Sequence, residues 1–155
     1  MDFTYPKHFT TGVLDGDDLR FFYNDIGLDN LQDFPIIYDW DSVVAEFEGQ
    51  LDIDVCTSAE INEEPVQNKI RFTLSIEKDN GSKPAAFFRH LRNAFAHYKV
   101  VREGDNYILT DKDKGLTMSG MVNAELLKKF CFRLFDTRER LINDETTENQ
   151  TTENQ

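Results

Sequence analysis

Val66-Gln67-Asn68-Lys69-Ile70-Arg71-Phe72-Thr73-Leu74-Ser75-Ile76-Glu77 carries two periodicities at once, and the choice between them decides the fold class. Ile70, Phe72, Leu74 and Ile76 alternate as in a half-buried strand, whereas Val66, Ile70 and Leu74 recur every four residues, as on one face of a helix. Asn62 is placed to cap such a helix and Pro65 is tolerated in a first turn, so we read the stretch as helical. That reading makes the chain mainly α.

Downstream, Asn80-Gly81 breaks the chain and Pro84 opens a helix that runs to about His97. Lys99 to Arg102 and Tyr107 to Asp111 then flank Glu103-Gly104-Asp105-Asn106 as a small β-hairpin. Ser119 can cap a last helix whose Val122, Leu126, Leu127, Phe130, Leu134 and Phe135 form an apolar stripe. Upstream, Asp41 or Ser42 can cap a helix carrying Val43, Val44, Phe47 and Leu51 that ends near Gly49 to Asp52, and a shorter helix is expected around Asp18 to Ile26. From Asn143 onward the composition is polar, and Thr146 to Gln150 repeats identically at Thr151 to Gln155. The expected organisation is one domain over residues 1–142 and a disordered tail over 143–155.

The 155 residues are 39% hydrophobic and include thirteen Phe, enough for one sizeable core. Phe21, Phe22, Phe87 and Phe88 belong to it most simply. Apolar runs are only a few residues long, and the N-terminus lacks a basic region followed by a hydrophobic stretch, so a soluble, cytoplasmic protein is expected. Cys56 and Cys131 have no partner at metal spacing and read as two buried thiols. The net charge of −12 is uneven: residues 1–64 hold sixteen acids against Lys7 and Arg20, whereas Lys83 to Arg102 holds five Lys or Arg, His90 and His97, and no acid. Acid pairs such as Asp17-Asp18 and Glu63-Glu64 read as solvated surface. A basic strip on an acidic body can bind phosphate chains selectively.

Within that strip, Arg92-Asn93-Ala94-Phe95-Ala96-His97 puts a phosphate-binding cation, an amide and a titratable imidazole on one helix. Taking Phe88 as zero and about 100° per residue, Leu91, Phe95 and Tyr98 fall on an arc that buries. Arg92, Ala96, Arg89, Asn93, His97 and His90 fall on the opposite, polar arc, where Ala86 and Ala96 would let a second helix approach closely. Arg92 and His97 are about 140° apart, so they do not converge on one phosphate in a straight helix. Arg92 could reach across, the helix could loosen near His97, or a second copy could complete the site. Two copies about a two-fold axis would pool their Arg92, Asn93 and His97 in one cleft lined by Ala86, Asn93 and Ala96. His90, alone among these groups, reads more simply as a surface or packing residue.

The sequence of an Arg, a polar residue after it and a His four to six positions on, borne on a helix, resembles the signature of the HEPN superfamily. The wider segment Phe88 to His97, followed by a hairpin and one amphipathic helix, is similar to a plasmid- and prophage-borne branch of it, with the resemblance spanning residues 83–140. The resemblance implies a mainly α, HEPN-like helical bundle with a short β-hairpin after the motif helix. It implies a homodimeric, metal-independent endoribonuclease of the toxin or phage-defence kind, or else a non-catalytic dimer module binding a protein partner or RNA. In the enzyme, Arg92 would clamp a phosphate. His97 would move a proton to or from the ribose 2′-OH or the leaving oxygen. Asn93 would orient either group, and Arg89 and Lys99 would add phosphate contacts. DNA lacks the 2′-OH and would be spared, and no cofactor or metal is called for. One departure stands out. In HEPN toxins paired with a nucleotidyltransferase antitoxin, a Tyr two positions after the His is modified, and Lys99 holds that place here, with Tyr98 one earlier. Glycine-rich phosphate loops, paired-His zinc motifs, finger-spaced Cys pairs and Gly-x-Ser-x-Gly elbows are all absent.

Overall fold

A computed structural model describes residues 14–29, 39–61 and 64–136. Asn62 and the polar tail lie outside these residues. Within Val66 to Glu77 the residues Lys69–Phe72 form a strand, β2, and Ile76 and Glu77 open a separate short helix, so the reading of the stretch as one helix is wrong. Ile70 and Phe72 point to one side and are fully buried, while Lys69 and Arg71 point to the other. The period of two wins because β2 is an inner strand, hydrogen-bonded on both edges. Its parallel neighbour is β1 (Asp52–Val55) and its antiparallel neighbour is β5 (Leu116–Asn123). Backbone partners on both edges outweigh a three-residue helical coincidence.

The sheet is completed by β3 (Val100–Glu103) and β4 (Asn106–Lys112), in the order β1-β2-β5-β4-β3. The β3–β4 hairpin falls where its turn residues place it. The expected helix capped by Ser119 begins later, because Ser119 lies within β5. Met118, Gly120 and Val122 alternate inward there, and the last helix, α5 (124–136), is capped by Asn123, whose Oδ1 accepts from the Leu126 amide at 3.1 Å. Gly120 is required by close packing, since a Cβ there would lie 2.8 Å from Ile70 Cγ1. The mainly α, bundle-like fold expected from the sequence is therefore replaced by a five-stranded mixed sheet layered with helices.

The remaining helices are α1 (Gly16–Arg20, continued by a π-helical turn over Phe21–Asp25), α2 (Trp40–Glu46), α3 (Ile76–Asp79) and α4 (Lys83–Ala96). Helix α2 is capped by Asp39, two or three residues before the expected Asp41 or Ser42, and ends before Leu51. Helix α1 begins in a capping box between Asp15 and Asp18. The helices cover one face of the sheet, where Ile53, Ile70, Phe72, Met118, Val122, Tyr107, Leu109 and Val100 join a single apolar cluster with them. Trp40 sits at the centre, with ring centroids 5.8, 5.8 and 5.6 Å from Phe72, Phe87 and Phe130. Each such ring stabilises the fold by about 1.5–3 kcal/mol through burial. The crossover from β1 to β2 passes over the opposite face, where the Ser58 hydroxyl donates to the Leu116 carbonyl at 2.6 Å.

Asp18 corrects the reading of Asp17-Asp18 as solvated surface: it is fully buried and accepts from Tyr107, Arg102 and Lys128. Burial would raise its carboxyl, but these donors outweigh it and hold it at about 2. Cys131 is buried and Cys56 half-buried, neither in a disulfide. No helix among the described residues is long and apolar enough to cross a membrane.

Candidate functional site

Helix α4 carries the predicted motif, and the reason it forms is local. The Ser82 hydroxyl accepts from the Ala85 amide, Pro84 sits in the first turn, and fourteen residues follow without a break. Its buried surface is broader than the expected stripe, taking in Ala86, His90 and Ala94 as well as Phe87, Phe88, Leu91 and Phe95. Three expectations fall with that. Ala86 is 0% exposed and has no surface to offer a second copy. His90 is not on a polar arc with His97 but inside, as the packing reading held. Tyr98, expected to bury, is 40% exposed.

His90 is held between the sheet and the helix layer. Its Nδ1 lies 2.7 Å from Asp111 Oδ2 on β4, and its Nε2 lies 2.8 Å from the Thr73 carbonyl just after β2. The neighbouring Arg89 makes a two-pronged pair with buried Asp79 of α3, at 2.6 and 2.9 Å. Burial alone would raise both carboxyls. Bonds from Arg89 and the Ser75 amide outweigh it at Asp79, and bonds from His90 and Asn93 do so at Asp111, so both sit below the usual carboxylate range. Arg89, expected at phosphate, is thus bound inside the protein, and the Asn93 amide serves Asp111.

Arg92, His97 and Lys99 lie at another corner of the fold, the C-terminal end of α4, with Arg92 about 140° round the helix from His97. Ala96 is the last helical residue, His97 caps the end, and Tyr98 takes the left-handed conformation at φ 57°. The Tyr98 amide donates to the Phe95 carbonyl and the Lys99 amide to that of Ala94, at 3.2 and 2.8 Å. This is a Schellman closure with tyrosine where glycine is usual, a conformation costing a non-glycine residue about 1–2 kcal/mol. His97 and Lys99 are exposed and Arg92 half-buried. The described arginines other than Arg92 all have carboxylate partners: Arg20 pairs with Asp17, Arg71 with Asp52, Arg89 with Asp79, Arg102 with Asp18 and Arg133 with Glu46. In a chain with 29 acids and 17 Lys or Arg, Arg92 alone among the described arginines has no carboxylate partner among the described residues. His97 has no side-chain partner among the described residues either.

Three clefts among the described residues lie elsewhere. One of about 90 Å³ runs under the β1–β2 crossover beside Lys69, Arg71 and Ser119. A second, of about 350 Å³, is at Thr110, Lys112 and Leu116, and a third, of about 380 Å³, lies between α2 and β1. Among the described residues no group of three His, Cys, Asp or Glu could hold a metal ion.

Asp79 and Asp111 were missed from sequence. Asp111 did leave a trace: Tyr107, Leu109 and Asp111 alternate inward along β4, and an acid at the third inward position signals a buried partner. Comparison of the chain with protein-family models, curated proteins and solved structures finds no match.

Proposed function

We propose that the protein acts on RNA through the corner formed by Arg92, His97 and Lys99, as a metal-independent endoribonuclease. The observation that supports this most is that, at the C-terminal end of α4, neither the Arg92 guanidinium nor the His97 imidazole has a carboxylate partner among the described residues. Elsewhere in the described chain, acid excess neutralises arginine. Arg92 would hold a phosphate through its fork of donors. The ribose 2′-oxygen attacks the adjacent phosphorus, the bond from phosphorus to the 5′-oxygen breaks, and the products carry a cyclic phosphate and a 5′-OH. His97 takes the proton from the 2′-OH or gives one to the departing 5′-oxygen. One imidazole performs one of these transfers, so a second copy's His97 would perform the other. Ala96, exposed at the helix end, leaves room for that approach. Asn93, which helps hold the Asp111 carboxyl low, acts by positioning the helix end.

A non-catalytic module binding RNA or a protein partner is the second reading. It is favoured by the position of the three clefts among the described residues away from Arg92 and His97, since a substrate usually reacts in a concave site. Incubating the protein with several RNAs in EDTA, beside His97→Ala and Arg92→Ala, separates the two. Cleavage leaving cyclic phosphate ends, lost in both variants, supports the enzyme. Binding without cleavage by the wild type supports the module, and neither binding nor cleavage removes both.

A further inference from the structure

Strand β1 ends the sheet, and its free edge lies beside the groove of about 380 Å³ below α2. The Asp52 amide donates to the Asn68 carbonyl and the Cys56 amide to that of Phe72, both at the β2 side. Parallel pairing alternates along a strand, so the peptide N–H and C=O of Ile53 and Val55 face outward from the sheet. No strand among the described residues covers them. Ile53, Leu51 and Val44 supply an apolar floor to the groove, and Asp41, Glu48, Asp52 and Asp54 supply its rim, with no Lys or Arg among the described lining residues. Arg71 and Lys69 approach Asp52 and Arg71 approaches Asp54, but Asp41 and Glu48 have no cation beside them among the described residues.

We infer that this edge is a docking strand for an extended, Lys- or Arg-bearing segment of another protein. Such a segment would add a strand alongside Ile53 and Val55, set alternate apolar side chains on the groove floor and bring its cations to the four carboxylates. Charge complementarity selects this occupant. A second copy pairing through β1 would set Asp52 and Asp54 against like charges, the usual means by which edge strands resist self-association. A nucleic acid would meet the same carboxylates with its phosphates. The site is remote in sequence and in charge from the Arg92 corner, so it stands or falls independently of the RNA reading.

The test uses the full chain and a fluorescent hexapeptide alternating Lys and Val, followed by anisotropy and by hydrogen exchange. The peptide should bind saturably, the Ile53 and Val55 amides should become at least tenfold more protected, and Asp41→Asn with Glu48→Gln should weaken binding at least tenfold. N-methylating the peptide amides that face β1 should abolish binding with the protein untouched, which keeps the result clear of any folding effect. The same peptide with Glu for Lys should not bind. The inference is overturned by binding that survives N-methylation, which would be charge adsorption only. It is equally overturned by Ile53 and Val55 amides already protected in the free protein, by a mass-detected dimer lost on altering β1, or by no binding at all.

Discussion

Helix α4 has two cationic regions, and they are handled oppositely. Arg89 and His90 lie against the sheet and are matched by Asp79 and Asp111 at hydrogen-bond distance. Arg92, His97 and Lys99, a turn further on, have no such match among the described residues. In sequence the two sets look alike, as one basic strip. The fold divides them into a buried set that holds α4 to α3 and β4, and an outer set with no carboxylate partner among the described residues.

The division predicts distinct losses. The largest effect is expected in the outer set: His97→Ala should lower RNA cleavage about 10²- to 10⁴-fold, the usual contribution of a positioned acid or base, while the urea midpoint stays put. A fall in rate that tracks a fall in stability would instead make His97 structural. In the inner set the order reverses. Asp111→Ala leaves His90 facing a vacated partner and should cost about 3–5 kcal/mol in urea unfolding, against about 0.5 kcal/mol or less for Arg92→Ala. Equal losses would erase the distinction.

Acid should act on the buried carboxylates that are held low. Asp79 and Asp111 are held below their ordinary values, and Asp18, on α1, is held at about 2 against 3.8. The unfolded chain therefore takes up protons first as pH falls. The stability these groups contribute is complete above the ordinary carboxylate value and is lost progressively below it. Urea midpoints should be level from about pH 7 to 5 and drop towards pH 2–3. Asp18→Asn should flatten that drop, and a profile unchanged by it would remove Asp18 as a cause. The smallest effect concerns the turn that presents the outer set. Tyr98→Gly should relieve the left-handed strain and raise stability by about 1 kcal/mol, less any contact the ring makes, as read from the thermal midpoint.

Local features were legible where a short segment holds all its partners. Helix α4 has its cap, its first-turn Pro and its apolar positions within fifteen residues, and the β3–β4 hairpin has its turn between its strands. Strand β2 was not legible, because Ile70 and Phe72 are organised by Ile53, Val55, Gly120 and Met118, seventeen to fifty residues away. Strand β5 was hidden by Ser119-Gly120, a pair that looks like a helix start until Ile70 is seen filling the space over Gly120. At the site, Arg92 and His97 could be singled out from spacing. That Arg89 and Asn93 turn inward, and that Ala86 is wholly enclosed, could not, since each depends on what lies across the helix.

By itself the sequence determined the charge asymmetry, the helix bearing the motif and the turn that follows it, because capping, turn chemistry and charge count act over a few residues. Tertiary structure alone decided that the chain builds a sheet, that one basic strip becomes an inner lock and an outer corner, and that β1 has no strand on its outer edge among the described residues. Those outcomes rest on backbone pairing and burial between distant segments, and a strand's hydrogen bonds are made only with a neighbour the local sequence does not contain.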